Sequence, residues 1–229
     1  MLVKPWNKLP SKMQVCAVRP YWESLRRKNV SLFFKRIFDI VMSALILIVL
    51  SPCFLIIAIA IKVDSSGPVF YRQVRVTQYG KEFQIHKFRS MYDSADKDES
   101  LVTIRDDSRV TKVGRFIRKY KFDEFPQLID VLHGELSFVG TRPEVPKYVN
   151  QYTPEMLATL LLPAGITSEA SIQYKNESEL IANDNDVDKI YLETVLPIKM
   201  MLNLEELKKE NFFHDIKVMF ITVFSVFII

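Results

Sequence analysis

IVMSALILIVLSPCFLIIAIAI, residues 40–61, runs for 22 positions without a charged side chain, and the placement of everything else follows from it. An apolar run of roughly 18 or more residues is long enough to enter a bilayer as a helix. At about 1.5 Å per residue this one reaches roughly 33 Å, against a hydrocarbon core of about 30 Å. Ser51-Pro52 stands at its middle. Proline lacks the N–H and its ring crowds the carbonyl four residues back, that of Ile48, so a bend is predicted there. The Ser51 hydroxyl can return a hydrogen bond to a freed carbonyl.

Both flanks are basic. Residues 1–36 carry nine cations (Lys4, Lys8, Lys12, Arg19, Arg26, Arg27, Lys28, Lys35, Arg36) against Glu23 alone. Lys62, Arg72, Arg75 and Lys81 follow the stretch. Cytoplasmic flanks are rich in Lys and Arg, so both ends prefer one side, and a re-entrant helix-break-helix over residues 34–62 meets that demand. A Pro-kinked spanning helix is the alternative, because long downstream segments cross largely regardless of charge.

The 168 residues after Ile61 are enough for one domain with its own core. The division expected is a basic membrane-proximal arm (1–33), the membrane hairpin (34–62) and a cytoplasmic catalytic domain (63–229) ending in interfacial helices. The chain's net charge is +4. With nine cations and one anion in the first 36 residues, 22 cations and 26 anions remain, so the rest is net −4. The basic excess, interleaved with Trp6, Tyr21 and Trp22, suits an anionic leaflet rather than nucleic acid; a disordered basic tail is the plainer alternative. Cys16 and Cys53 are the only cysteines and imply no disulfide framework. The apolar stretch starts too late and runs too long for a signal peptide.

Beyond a turn cluster at Val63–Pro68, Val69–Val76 and Glu82–Met91 read as a β-hairpin turning at Gln78–Lys81. Phe83, Ile85, Lys87 and Arg89 fall on one face by alternation. Cations at a strand end either hold a diphosphate or serve as solvated edge charges. Asp93–Ser100 is polar and acidic, a loop or a frayed helix start. From Asp107 the pattern becomes a basic amphipathic helix, with Val110, Val113, Ile117 and Tyr120 on one side and Arg109, Lys112, Arg115 and Arg118 beside them. Such a helix lies on a membrane, lines an anionic site or presents a solvated face.

Phe122, Phe125, Ile129 and Leu132 keep helical spacing, and Pro126 fits only a first turn, so Asp123 and Glu124 are expected at a helix start. Carboxylates there stay ionised and can act as a nucleophile, as metal ligands or as plain helix caps. Arg142, held between Thr141 and Pro143 in a turn, is a candidate phosphate contact or a surface ion pair. Tyr148–Leu162 reads as a helix that Pro163–Thr167 breaks, Ser171–Leu180 has no deciding period, and Lys189–Leu202, Leu204–Lys209 and Phe212–Ile229 read as helices. The last twelve residues, Val218–Ile229, are uncharged but too short to span, and mark an interfacial or core helix.

Lys35-Arg36-Ile37-Phe38-Asp39 ahead of the Ser-Pro-interrupted helix, Lys87-Phe88-Arg89-Ser90-Met91, Asp107-Ser108-Arg109, Val113-Gly114-Arg115-Phe116-Ile117-Arg118, Phe122-Asp123-Glu124-Phe125-Pro126-Gln127-Leu128 and Val139-Gly140-Thr141-Arg142-Pro143 together resemble the bacterial sugar transferases, the monotopic phosphoglycosyl transferases. The resemblance runs in order from Phe34 to Ile221 and is specific as a set. It implies an α+β fold: a re-entrant membrane helix with a small cytoplasmic domain at the bacterial inner membrane. It implies transfer of a phosphosugar from a UDP-sugar to polyprenyl (undecaprenyl) phosphate, with release of UMP and a need for Mg²⁺. Asp123 matches the nucleophile of a covalent phosphosugar intermediate, and Glu124 its metal-associated partner; both are the metal candidates. Lys87, Arg89, Arg109, Arg115 and Arg142 are the candidate phosphate contacts. Lys35, Arg36 and Asp39 match the interface start of the hairpin, with Ser51 and Pro52 at its break.

Phe122 and Phe125 stand where the family usually has Leu, Thr141 where Pro is usual, and Arg75-Val76-Thr77 lacks the usual Gly. Pro163–Thr167 with Tyr174–Glu177 resembles one subgroup and bears on sugar choice. The arm before Ser31 lies outside the resemblance. The expected partners are the UDP-sugar, the polyprenyl phosphate and membrane lipids, without nucleic acid, and a homodimer stays open. Two rival functions remain: a non-catalytic membrane-surface scaffold, and a glycosyltransferase that releases UDP.

Overall fold

The computed structural model describes residues 2–93, 108–174 and 187–227. Asp107, most of the Asp93–Ser100 loop, and Glu177 with the rest of the segment beyond Tyr174 lie outside them.

Two short 3₁₀ turns, Trp6–Lys8 and Ser11–Met13, lead into α1 (Arg19–Arg27), whose first turn holds Pro20 and whose last turn carries Arg26 and Arg27. Proline suits a first turn and cations suit the negative end of the helix dipole. The segment expected to be a membrane-side arm or a loose tail is packed. Val3, Leu9, Met13, Val18, Tyr21 and Leu25 are buried in one apolar cluster with Leu160, Leu161, Leu162, Leu204 and Leu207. Trp6 and Trp22 meet edge to face at 5.4 Å, with Arg19 over Trp6 and Arg26 over Trp22.

The apolar stretch lies within α2 (Asn29–Asp64), a helix of 36 residues with Pro52 inside it. The expected interruption is therefore not a gap between two helices: helical structure continues through Ser51-Pro52, and the Ser51 hydroxyl donates to the Ile48 carbonyl at 2.8 Å, the atom the proline crowds. The middle of α2 is bare, with Ile48 71% and Val49 73% exposed. Apolar surface on that scale needs a partner, and lipid suits a charge-free helix. Both ends of α2 hold the rest of the protein. Near its start Arg36 donates to the Val131 and Leu132 carbonyls, and near its end Ile61 packs with Phe88 and Ile117 while Asp64 accepts the Val113 N–H.

The hairpin forms as expected. β1 (Phe70–Val76) pairs antiparallel with β2 (Glu82–Phe88), Arg75 opposite Phe83 and Tyr71 opposite Lys87. Then come α3 (Lys112–Lys119), capped by Thr111, which accepts the Gly114 N–H, and α4 (Gln127–His133), closed by Gly134 in the left-handed region. β3 (Leu136–Val139) pairs in parallel with β4 (Ala164–Thr167). β4 lies in the Pro163–Thr167 stretch expected to break a helix. Its inward packing on both faces removes the alternation that marks a half-buried strand. Gly140 and Gly165 permit the close approach here, since a Cβ on Gly165 would stand 2.2 Å from the Gly140 nitrogen.

The helix expected over Tyr148–Leu162 is instead a short α5 (Pro146–Val149) and a 3₁₀ turn, Met156–Leu161. Pro154 biases Thr153 toward extended backbone and parts them. After α6 (Glu169–Gln173), α7 (Val187–Ile190) passes through a π-helical turn (Tyr191–Val195) into α8 (Leu196–Lys209). The two helices expected between Lys189 and Lys209 are thus divided near Leu196 and not at Asn203. α9 (Phe212–Phe227) ends the described chain.

Candidate active site

Asp123 and Glu124 do not begin α4 itself. They occupy a single 3₁₀ turn, Phe122–Glu124, with Pro126 between that turn and the helix. The residue ahead, Lys121, has left-handed backbone (φ 58°). For a side chain with a Cβ that conformation costs about 1–2 kcal/mol. It turns the chain sharply out of α3, so that consecutive carboxylates face the hairpin.

Glu124 is locked. Its Oε1 accepts Lys87 Nζ at 3.0 Å and Arg142 Nη2 at 2.6 Å, while Oε2 has a 3.5 Å contact from Arg142 Nη1. Lys87 comes from β2 and Arg142 from the turn after β3, so two separate elements converge on one oxygen. Burial pushes the Glu124 carboxyl up, but Arg142 and Lys87 outweigh it and hold the group well below the usual carboxylate range. Asp123 goes the other way. Burial raises it, Glu124 raises it further, and Lys87, Lys121 and Arg118 only partly offset them. Asp123 Oδ1 is buried without a hydrogen-bond partner among the described residues. An unsatisfied buried carboxylate oxygen is costly, and such a group is poised to bind an electrophile or a cation.

Of the five cations named from sequence, Lys87 and Arg142 join the pair. Arg89 follows the last residue of β2, leaves its alternation, and donates to the Ser65 carbonyl at 2.7 Å and the Ser65 hydroxyl at 2.9 Å. It fastens the exit of α2. Arg115 is exposed on α3, and the Arg109 carbonyl accepts from Tyr92 beside the Met91–Val110 bridge. Lys121 and Arg118 replace them as neighbours of Asp123. Arg75 was also missed: its guanidinium donates to the Pro143 carbonyl at 3.2 Å and to Gln73 Oε1 at 2.7 Å, tying down the turn that presents Arg142. Strand alternation with Gln73, on the face that pairs opposite Lys87, was the signal available.

The cluster at the start of α2 holds this arrangement against that apolar helix. Lys35 is buried, donates to the Val139 carbonyl at 3.0 Å, and is paired with Asp215 and with Glu210 Oε1 at 3.3 Å. Asp39 accepts the Ser137 hydroxyl at 2.8 Å. Both contacts grip β3, whose end leads directly to Arg142.

Fold and site together define a helix-rich α+β protein with one lipid-suited helix and an acidic pair set among cations, an arrangement for handling phosphate. The chain belongs to the bacterial sugar transferase family, whose sequence model matches residues 30–228. It is 38% identical over 196 residues to an undecaprenyl-phosphate glucose phosphotransferase of Komagataeibacter xylinus, covering 82% of this chain and 35% of that one. It is 36% identical over 204 residues to a UDP-glucose:undecaprenyl-phosphate glucose-1-phosphate transferase of Klebsiella pneumoniae, covering 87% and 41%. It is 38% identical over 133 residues to a UDP-N-acetylgalactosamine-undecaprenyl-phosphate N-acetylgalactosaminephosphotransferase of Aeromonas hydrophila, covering 58% and 31%. The chain spans 41% or less of the length of these three relatives.

Proposed function

We propose that this chain transfers a phosphosugar from a UDP-sugar to polyprenyl (undecaprenyl) phosphate, releasing UMP. One observation carries the proposal: Asp123 holds a buried carboxylate oxygen unpartnered among the described residues, beside a Glu124 that two cations keep ionised. Membership of the family and the substrates in the relatives' names support the same reaction.

Asp123 attacks the phosphorus that bears the sugar. A carboxylate oxygen–phosphorus bond forms, the bond to the bridging oxygen breaks, and UMP leaves with that oxygen and its electron pair. An oxygen of the polyprenyl phosphate then attacks the same phosphorus, which forms the lipid-linked diphosphosugar and returns the Asp123 carboxylate. Two half-reactions let one small site serve a water-soluble donor and a membrane-bound acceptor in turn. A carboxylate approaching a diphosphate meets like charge, and Lys87, Arg142, Lys121 and Arg118 surround the pair to offset it. The raised affinity of Asp123 for a proton also makes its ionised form the stronger nucleophile.

Mg²⁺ fits the donor set. It prefers oxygen ligands and binds through one or two carboxylates plus substrate phosphates; among the described residues Asp123 Oδ1 has no partner and Glu124 Oε2 only a long one. Among the described residues no three His, Cys, Asp or Glu side chains form a metal group, so this chain would offer the ion two carboxylates and leave the other oxygen donors to substrate and solvent. Glu124 with Asp123 would hold the ion, which supplies charge neutralisation on the diphosphate.

α2 enters and leaves the bilayer by one face, and the domain lies on the cytoplasmic side of the bacterial inner membrane. Two observations support this: both flanks of the apolar stretch are basic, and both ends of α2 are engaged by the same body.

The test is nucleotide release by the nanodisc-held protein with Mg²⁺, undecaprenyl phosphate and a panel of UDP-sugars, beside Asp123→Asn. UMP from one sugar, lost in the variant, is expected. UDP in its place would sink phosphosugar transfer.

A further inference from the structure

Four aromatic rings run in series past the nucleophile. Phe116 and Tyr120 on α3 are 5.0 Å apart, Tyr120 and Phe122 are 5.8 Å apart, and Phe122 and Phe125 are 5.1 Å apart. Asp123 lies in the chain between the last two. Core packing does not account for the row, because Phe116 is 57% exposed. At one edge Phe122 packs on the Ile61, Phe88 and Ile117 cluster beside Phe54 and Ile57 of the apolar helix, so the row continues the lipid-facing surface toward Asp123. Its other edge is cationic. Arg118 and Lys121 act on the Asp123 carboxyl, and Lys119 Nζ stands 5.6 Å over the Tyr120 ring. Apolar continuity with the membrane on one side and positive charge on the other match a hydrocarbon chain that ends in a phosphate.

We infer that the row from Phe116 to Phe125 seats the first isoprene units of the acceptor lipid, with its phosphate directed to Arg118 and Lys121. Flat, methyl-branched isoprene units lie well on ring faces, and the phosphate is then delivered to the phosphorus carried by Asp123. The inference rests on polyprenyl phosphate being the acceptor and adds where it binds. It also gives the aromatic Phe122 and Phe125 a use beyond the bulk that Leu would supply.

Two measurements on the full chain in nanodiscs of phosphatidylethanolamine and phosphatidylglycerol test it. The first is labelling by a diazirine-bearing polyprenyl phosphate, mapped by peptide mass spectrometry, with undecaprenyl phosphate as competitor. Competed labels within residues 116–125 are expected; competed labels confined elsewhere, or no competition, overturn the inference. This arm needs no turnover, so a protein that binds lipid here but releases no UMP would refute the proposed reaction and leave the seat standing. The second is steady-state kinetics of Phe116→Ala and Tyr120→Ala. We expect KM for undecaprenyl phosphate to rise about tenfold against no more than about twofold for the UDP-sugar, with Phe116→Trp restoring the wild-type value. Equal KM for the lipid, or loss of the protein from the disc in place of a KM change, would show that the rings are only a membrane anchor.

Discussion

Arg142 donates to Glu124 Oε1 at 2.6 Å across 18 residues of chain, and the same oxygen accepts Lys87 from the hairpin. A planar fork makes this contact in a way a single ammonium does not. Hydrogen bonds to charged groups are worth about 1.5–3 kcal/mol, so Arg142→Lys should lower kcat/KM for the UDP-sugar about 10- to 150-fold while the protein stays folded. Steady-state UMP release against thermal unfolding separates the two effects.

The pair should titrate in opposite directions when its surroundings are changed. Arg142 and Lys87 hold Glu124 low, so Arg142→Ala raises it and should shift the acidic limb of the kcat/KM profile to higher pH. Glu124 helps to hold Asp123 up, so Glu124→Gln should lower Asp123 and shift the residual activity's acidic limb to lower pH. Profiles that do not move, or that move together, would refute the division of roles.

Glu206 on α8 is pushed up from 4.5 to about 7, first by burial and then by Glu169, Asp215 and Glu210, with the Glu169 N–H acting against them. His214 Nε2 lies 3.9 Å from its Oε1. A carboxyl whose folded value is raised contributes stability that is full below its unfolded value and is lost as pH rises through the folded one. Thermal stability should therefore fall as pH rises through about 7. Glu206→Gln, which imitates the protonated form, should raise Tm near neutrality and above by about 2–4 °C, the response of a domain this size to about 1 kcal/mol, and change little in acid. Differential scanning fluorimetry across pH reads this.

Gly165→Ala tests the parallel pair beneath the site. The new Cβ would meet Gly140 backbone atoms at 2.2 and 2.4 Å, and backbone on both sides has no room to yield. Destabilisation above about 3 kcal/mol is expected, with loss of the folded protein during purification. A normally folded Gly165→Ala protein would mean that β3 and β4 are farther apart than described.

The chain carries its own topology probe in Cys16, which is exposed ahead of α2. With Cys53 replaced by Ala and a second cysteine placed at Lys62, a membrane-impermeant maleimide should label neither end in intact cells and both after the inner membrane is opened. Labelling of one end alone from outside would show a spanning α2. Pro52→Ala, which restores the missing backbone donor, should move the protein toward that pattern.

The apolar helix, the hairpin, the Asp123-Glu124 pair and the basic helix from Lys112 onward were legible because each is a local pattern; the helix expected from Asp107 begins only after Thr111, because Val110 is drawn into a bridge with Met91. A charge-free run, a period of two, a period near 3.6 and a proline beside two carboxylates need only neighbours in sequence to be seen. β4 and the break after α5 were not legible, since a four-residue strand buried on both faces loses its alternation, and Thr153-Pro154 weighed less than the apolar run around it. The basic arm looked detached because its charges dominate its composition. Its apolar residues, Val3, Leu9, Met13, Val18 and Leu25, share a cluster with Leu32, Val76 and leucines more than a hundred residues away.

Which cations serve the pair was likewise beyond the sequence. Lys87, Arg89, Arg115 and Arg142 carry the same charge, and local pattern ranks none above another. Sequence determined that this chain has a lipid-suited helix, an acidic pair and an excess of Lys and Arg around it. Tertiary structure alone decided that Lys87 and Arg142 meet at Glu124, that Arg89 fastens Ser65, and that Lys121 turns the chain so that Asp123 Oδ1 is buried with no partner among the described residues. The physical reason is distance: charge and hydrogen bonding act over a few ångströms in space, and only folding sets which residues far apart in the chain come that close.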